Sequence, residues 1–263
     1  VLASSFKIKD MLVSFIGSGN VATVLAKRMF AKGITIHEIF SRNESNAKEL
    51  AQQVNANIVT EISQLSKNAD VYIIGVSDKV LPEIVSQLSF KNKLVLHTAG
   101  SVSINVLKNM SEEFGVLYPV QSLRKTMSDE TPIPFLIDGN KEDVFKKIEL
   151  LAKIISHKTA KCNDESRLKA HVACVFACNF ANYMYLQSEA FCKAENLDFS
   201  IIQDLMEETA NRLRNNSPQD VFTGPAVRGD VPTIEKHLQL LKKYPSHHQL
   251  YQLISKSIMN LKK

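Results

Sequence analysis

The sequence predicts a doubly wound α/β sheet followed by an all-helical region. Three observations carry that reading. From Met11 to about residue 161, short apolar runs alternate with amphipathic stretches. Most of the runs are continuously apolar, as strands covered on both faces are. Beyond residue 163 the runs stop and only helical patterns follow, which sets domains of 1–163 and 164–263. Of 263 residues, 44% are hydrophobic and 22% charged, a balance that excludes disordered and collagen-like chains.

Strands are predicted over 11–17, 34–40, 56–60, 71–77, 93–99, 115–120 and 134–138, with 157–162 as a last short one. They are rich in Val, Ile and Phe, which fit a pleated, buried surface. Between them the spacing predicts helices over 20–32, 44–54, 79–88, 102–111 and 141–155. Repeated strand–helix units imply parallel neighbours joined by right-handed crossovers. In the second half, Asn163-Asp164-Glu165-Ser166 starts a long helix over about 166–194. Further helices follow near 200–215, 230–243 and 246–262, and Ser200 with Gln203 reads as a capping box.

Gly17-Ser18-Gly19-Asn20-Val21-Ala22 is the most informative segment. It follows an apolar strand and opens a helix whose Val21, Val24, Leu25 and Met29 share one face. Gly17 permits a tight turn, Gly19 lets the backbone approach a pyrophosphate, and Ala22 lets the helix pack closely on the sheet. With the helix N-terminus favouring an anion, the segment reads as a Rossmann dinucleotide loop, the alternative being a plain glycine turn between strand and helix. An NAD site usually places Asp or Glu at the end of the second strand. Here that strand ends in Phe40-Ser41-Arg42-Asn43, and Glu38 lies too early. Ser41 and Asn43 can hydrogen-bond a 2′-phosphate and Arg42 can pair with it, so NADP is the expected cofactor. The alternative for Arg42 is a solvated loop arginine.

The nicotinamide of such folds lies beyond the carboxyl ends of the strands. Val76-Ser77 and His97-Thr98 should therefore flank it, with Asp78 either there or capping the next helix. His97 is a proton donor, a ribose contact, or a strand-end histidine bonded to backbone.

Other classes are disfavoured. The net charge of +5 is spread, with no run of five like charges, so no nucleic-acid partner is expected. A mild positive field suits an anionic cofactor or substrate. The most apolar stretch, 172–186, is interrupted by Asn179 and Asn182 and is too short to cross a bilayer. The first ten residues lack the apolar core of a secretory signal. Four cysteines without paired spacing point to a reducing cytoplasm. His171, Cys174 and Cys178 fall within about 60° on one helix. Cysteine packs as a small hydrophobe, and with no second ligand cluster no metal is expected.

The strand–GSGNVA–helix opening, LHTAGS (96–101), YPVQSL (118–123), HVACVFACNFAN (171–182) and TGPAVRGD (223–230) resemble one family. It is the Rossmann-like NADP oxidoreductases whose C-terminal region is the domain of unknown function 2520. More distantly the chain is similar to pyrroline-carboxylate reductases, ketopantoate reductases and β-hydroxyacid dehydrogenases. In the family, histidine is commoner at the position of Tyr118 and serine at that of Ala99. The β-hydroxyacid dehydrogenase signature, Lys followed four residues later by Asn, is not met by His171 and Val175. The resemblance implies a Rossmann domain joined to an all-helical, dimerising domain.

The expected reaction is hydride transfer between NADPH and a small carbonyl or imine carrying a carboxylate, ketopantoate-reductase-like activity being one version. Arg228 is the candidate carboxylate ligand, its alternative a loop arginine paired with Asp230. His171 is the candidate proton donor, with Asn179 and Asn182 orienting substrate and His97 the alternative donor. On a uniform helix Asn182 and Glu189 lie within about 20° of His171, and Asn179 about 80° away. A non-catalytic NADP sensor would keep the loop and Arg42 without turnover. A methyltransferase would need an acidic residue where Ser41-Arg42 stand.

Overall fold

The computed structural model describes residues 11–261. Residues 1–10, expected to hold no signal, and the last residue of the helix expected over 246–262 lie outside the described residues. Strands β1 (Leu12–Ile16), β2 (Thr35–Phe40), β3 (Asn57–Val59), β4 (Val71–Ile74), β5 (Leu94–His97), β6 (Glu113–Pro119), β7 (Phe135–Gly139) and β8 (Thr159–Lys161) form one sheet. Its order is β3-β2-β1-β4-β5-β6-β7-β8. The order reverses between β1 and β4, which pair in parallel from Val13–Val71 to Ile16–Ile74. That switch point opens the crevice in which such sheets bind ligands.

Alternation along each strand builds two cores. Val13 and Phe15 of β1 pack with Leu25 and Met29 of α1 (Asn20–Ala31), Leu50 of α2 (Glu44–Val54) and Leu151 of α4 (Glu142–Ile155). Ile16, Tyr72 and Val95 face the opposite way, with Leu81 and Ile84 of α3 (Leu81–Ser86). The buried runs VYII and LVLH have no exposed position, as strands covered on both faces require.

Four features differ from the sequence reading. β7 runs antiparallel to β6, pairing Val116 with Asp138 and Leu117 with Ile137. Residues 120–134 between them contain Pro132 and Pro134 and no helix, so there is no crossover to return the chain in parallel. The helix expected over 102–111 is only a 3-10 turn, Ile104–Leu107, capped by Ser103. Val102, Ile104 and Val106 are β-branched and poor at extending a helix. The helix expected from Ser200 is a 3-10 turn, Phe199–Ile202, followed by α7 (Gln203–Arg212). Asp198 caps that turn by accepting from Ser200 N at 2.9 Å, leaving Ser200 no capping role. Finally, the long helix is α5 (Asp164–Cys174), a π turn (Val175–Phe180) and α6 (Ala181–Ala194).

The chain forms two compact units, 1–179 and 180–263. In the second, α8 (Pro225–Arg228), α9 (Val231–Leu241) and α10 (Pro245–Asn260) pack together. Tyr244 OH donates to Glu195 at 2.8 Å, and His247 Nε2 lies 3.0 Å from Gln187 O, which ties the start of α10 to α6. Among the described residues, no helix is long and apolar enough to cross a membrane.

Candidate active site

β1 delivers Gly17 in a left-handed conformation, φ +115°, where a side chain would strike the carbonyl of Gly75. Gly17 N donates to Phe40 O at 2.7 Å and Gly75 N to Ile16 O at 2.8 Å, so the loop is held by both neighbouring strand ends. Gly19 begins α1 without a side-chain cap, and a Cβ there would project into open space. The first N–H groups of α1, at Asn20 and Val21, are thereby left for a ligand, and they favour an anion. Gly17, Ser18, Gly19, Phe40, Ser41, Arg42, Asn43, Asn46, Gly75, Val76 and Ser77 line one cavity of about 350 Å³. Gly75 is an addition to the sequence reading. A Cβ there would lie 2.9 Å from that of Ala22, so the two small residues set the approach of α1 to β4.

At the end of β2, Ser18 Oγ donates to Ser41 Oγ at 2.8 Å. Asn43 Oδ1 accepts from Asn46 N at 3.0 Å, which makes Asn43 the cap of α2. Arg42 is exposed and only loosely paired, its Nη1 lying 3.7 Å from Glu83 Oε2. An exposed pair of this kind is weak and leaves the guanidinium available. Glu38 is buried and accepts from Ser66 N at 2.9 Å. It is spent inside the fold, and the strand end presents Ser41 and Arg42 instead of a carboxylate.

Past β5, Thr98 is buried and its Oγ1 donates to Ile74 O at 3.4 Å. His97 is 0% exposed, and its Nδ1 accepts from Ala99 N at 3.1 Å. Burial, reinforced by Arg167, pushes its pKa down to about 4. His97, the alternative proton donor, is therefore a neutral, strand-end histidine closed off from solvent. Ser101 donates a short hydrogen bond to Asp78, beside Val76 and Ser77.

His171, carried by α5, lies against the loop after β5 and the end of β6. Its Nδ1 is 3.0 Å from Tyr118 OH, and the two rings meet edge to face. Both rest on Gly100, where a Cβ would come within 2.8 Å of His171 Nδ1 and 3.0 Å of Tyr118 Cε2. One turn before His171, Arg167 is 1% exposed and reaches Asp164 at 2.7 Å and the carbonyl of Val102. Asp164 in turn accepts from Ile104 N at 3.0 Å. Gly100 and Tyr118 lie in LHTAGS and YPVQSL, but nothing in the sequence pairs them with His171, 71 and 53 residues on, and Arg167 has no motif to tie it to Val102, 65 residues back.

Asn179 is exposed on the π turn and ends the first compact unit, while Asn182 and Arg228 belong to the second. The uniform 100° count from His171 does not survive those six residues. A π turn inserts about one extra residue, which displaces everything after it by about 100°. Arg228 ends α8, mostly exposed, with Nη2 4.0 Å from Asp230 Oδ2. Asp230 also caps α9 through Thr233 N. Among the described residues, no group of three or more His, Cys, Asp or Glu side chains could hold a metal ion.

The sheet order and the glycine-lined cleft at its switch point define the Rossmann-type, dinucleotide-binding class of protein. Residues 12–100 match the family described as NADP oxidoreductase coenzyme F420-dependent, and residues 133–258 match Domain of unknown function (DUF2520). A "putative NADP oxidoreductase" from Bacteroides fragilis is 35% identical over 97% of this chain and 100% of its own, with a TM-score of 0.88. A protein from Thermotoga maritima is 23% identical over 94% and 97%, TM-score 0.71. The 1-pyrroline-5-carboxylate reductase of Streptococcus pyogenes is 17% identical over 96% and 99%, TM-score 0.61, a likeness of fold. No curated protein matches. The chain belongs to the Rossmann-fold NADP(H) oxidoreductase family whose C-terminal region is DUF2520.

Proposed function

We propose that the protein reduces a small carbonyl or imine compound bearing a carboxylate, with NADPH as hydride donor and His171 as proton donor. One observation carries the reading. The glycine cleft, open at Gly19, ends at Ser41 and Arg42 while the nearest strand carboxylate, Glu38, is buried and bonded. That donor set fits a dinucleotide with a 2′-phosphate. Gly17, Ser18 and Gly19 with the first turn of α1 at Asn20 and Val21 would hold the pyrophosphate, and Ser41, Arg42 and Asn43 the phosphorylated ribose. Val76 and Ser77, which line the cleft, would flank the nicotinamide end, with His97 and Thr98 buried at the neighbouring strand end. The bound cofactor supplies the hydride.

His171 lies against the loop after β5 and the end of β6, with its Nδ1 3.0 Å from Tyr118 OH, while His97 is fully enclosed. Asn179 would orient the substrate. Residues 164–263 would form the substrate and dimerisation domain, in a cytoplasmic homodimer. Their free thiols and exposed apolar side chains favour that setting. The chain has no tryptophan, so NADPH fluorescence reports binding without indole emission. NADPH should bind much more tightly than NADH, and Arg42→Ala should narrow the gap by about 1.5–3 kcal/mol. Equal affinity of the wild type for both would refute the cofactor assignment. His171→Gln should lower turnover of a substrate by about 10²–10⁴-fold with NADPH affinity unchanged.

A further inference from the structure

Three separate elements converge on the His171 ring. Tyr118 arrives from β6, Gly100 from the loop after β5, and His171 itself from α5. The tyrosine hydroxyl stands 3.0 Å from Nδ1, and the ring planes cross at 79° with centroids 5.9 Å apart. Gly100 closes the third side, with no room for a methyl group. The height of the ring is fixed by the backbone beneath it, because Arg167 and Asp164 tie α5 to Val102 and Ile104.

We propose that Tyr118 is a positioning residue: it donates its hydroxyl proton to His171 Nδ1 and holds the neutral imidazole as the Nε2–H tautomer, with that N–H turned to substrate. The inference rests on the reading of His171 as proton donor. A tyrosine in this position keeps its proton. Burial, then Cys174 and Asp78, push its pKa up to about 12 against the opposing Arg167. Cys174, one turn after His171, also meets the tyrosine hydroxyl. A thiol is a weak acceptor and an imidazole nitrogen a good one, so the phenolic proton goes to Nδ1. The titratable and charged groups facing the pair are Cys174 and Arg167 on α5 and Asp78 after β4.

The same contact serves the protonated ring, because a hydroxyl can turn and accept from Nδ1–H. In turnover the imidazolium gives its Nε2 proton to the oxygen or nitrogen of the reduced substrate. It keeps the Nδ1 proton, accepted by the tyrosine oxygen, only transiently: solvent reprotonates Nε2, and release of the Nδ1 proton returns the ring to the resting Nε2–H tautomer. The net transfer per cycle is one proton from solvent to the substrate.

Long-range ¹H–¹⁵N spectra of uniformly labelled protein read the tautomer without any substrate, His171 being assigned through His171→Gln. The wild type should show an unprotonated Nδ1 and a protonated Nε2 in the neutral ring, and Tyr118→Phe should give mixed tautomers. A neutral ring protonated on Nδ1, or spectra unchanged by Tyr118→Phe, overturns the proposal. A second arm uses any compound turned over from a panel of cyclic imines and 2-oxo acids. There Tyr118→Phe should lower kcat by about 3–10-fold, shift the pH profile of kcat and leave NADPH binding unchanged. The double variant with His171→Gln should be no slower than His171→Gln alone. Additive losses overturn the tyrosine's role, whereas unchanged turnover in His171→Gln overturns the donor reading itself.

Discussion

A single methyl group on Gly100 would meet both rings of the candidate site at once, at 2.8 Å from His171 Nδ1 and 3.0 Å from Tyr118 Cε2. Neither ring can retreat cheaply, since one sits on a strand and the other on a tied helix. Gly100→Ala should cost about 1–3 kcal/mol, as overpacking does, read from the urea midpoint. A midpoint equal to the wild type's would mean the rings are looser than the geometry requires. His97 gives a second prediction at this scale, through pH. Its folded pKa of about 4 lies below the ordinary 6.5, so below pH 6.5 the unfolded chain binds a proton that the folded chain refuses. The stabilisation is complete above about pH 6.5 and is lost as pH falls towards 4, by about 3 kcal/mol in all. Stability measured across that range should slope accordingly, and His97→Gln should remove this part of the slope.

At the scale of elements, the start of α5 is fastened by one carboxylate. Asp164 accepts from Ile104 N and from Arg167, whose Nε and Nη1 are buried with no hydrogen-bond partner among the described residues. Asp164→Ala would leave a buried guanidinium with its carboxylate gone. Because Asp164 is itself partly exposed, we expect a loss of about 2–3 kcal/mol rather than the larger cost of a fully enclosed pair. Chemical denaturation checks this, and a change below about 0.5 kcal/mol would show that α5 is held by packing alone. The π turn that follows, Val175–Phe180, breaks the helical count just past His171. Such bulges recur at functional sites, and no single residue type in VFACNF announces one.

For the molecule as a whole, the distribution of apolar surface is uneven. All but three of the exposed large hydrophobic residues, Phe30, Ile58 and Leu150, follow residue 164. Ile201, Leu205 and Leu253 are each more than 60% exposed. A helical region with that much uncovered apolar surface calls for a partner, and symmetric dimers are the commonest homo-oligomers. Light scattering at micromolar concentration should give twice the 29.4 kDa chain mass. A monomer would refute the dimer.

The sheet, its glycine turn and the residues at the end of β2 could be read from the sequence because they depend on local rules. Continuous apolar runs mark doubly covered strands, and a glycine loop between strand and helix marks a phosphate cradle. The reversal of β7 was not legible, because strand direction is set by what the connection packs against rather than by the strand's own residues. Nor was the spent state of Glu38, whose partner Ser66 is 28 residues away. The tertiary structure alone set the different surroundings of the two histidines. It enclosed His97 at a strand end and brought His171 against Tyr118 across 53 residues of chain. Periodicity reports which face of an element is apolar, while the contacts that set a proton's position are made between elements, where only packing chooses the neighbour.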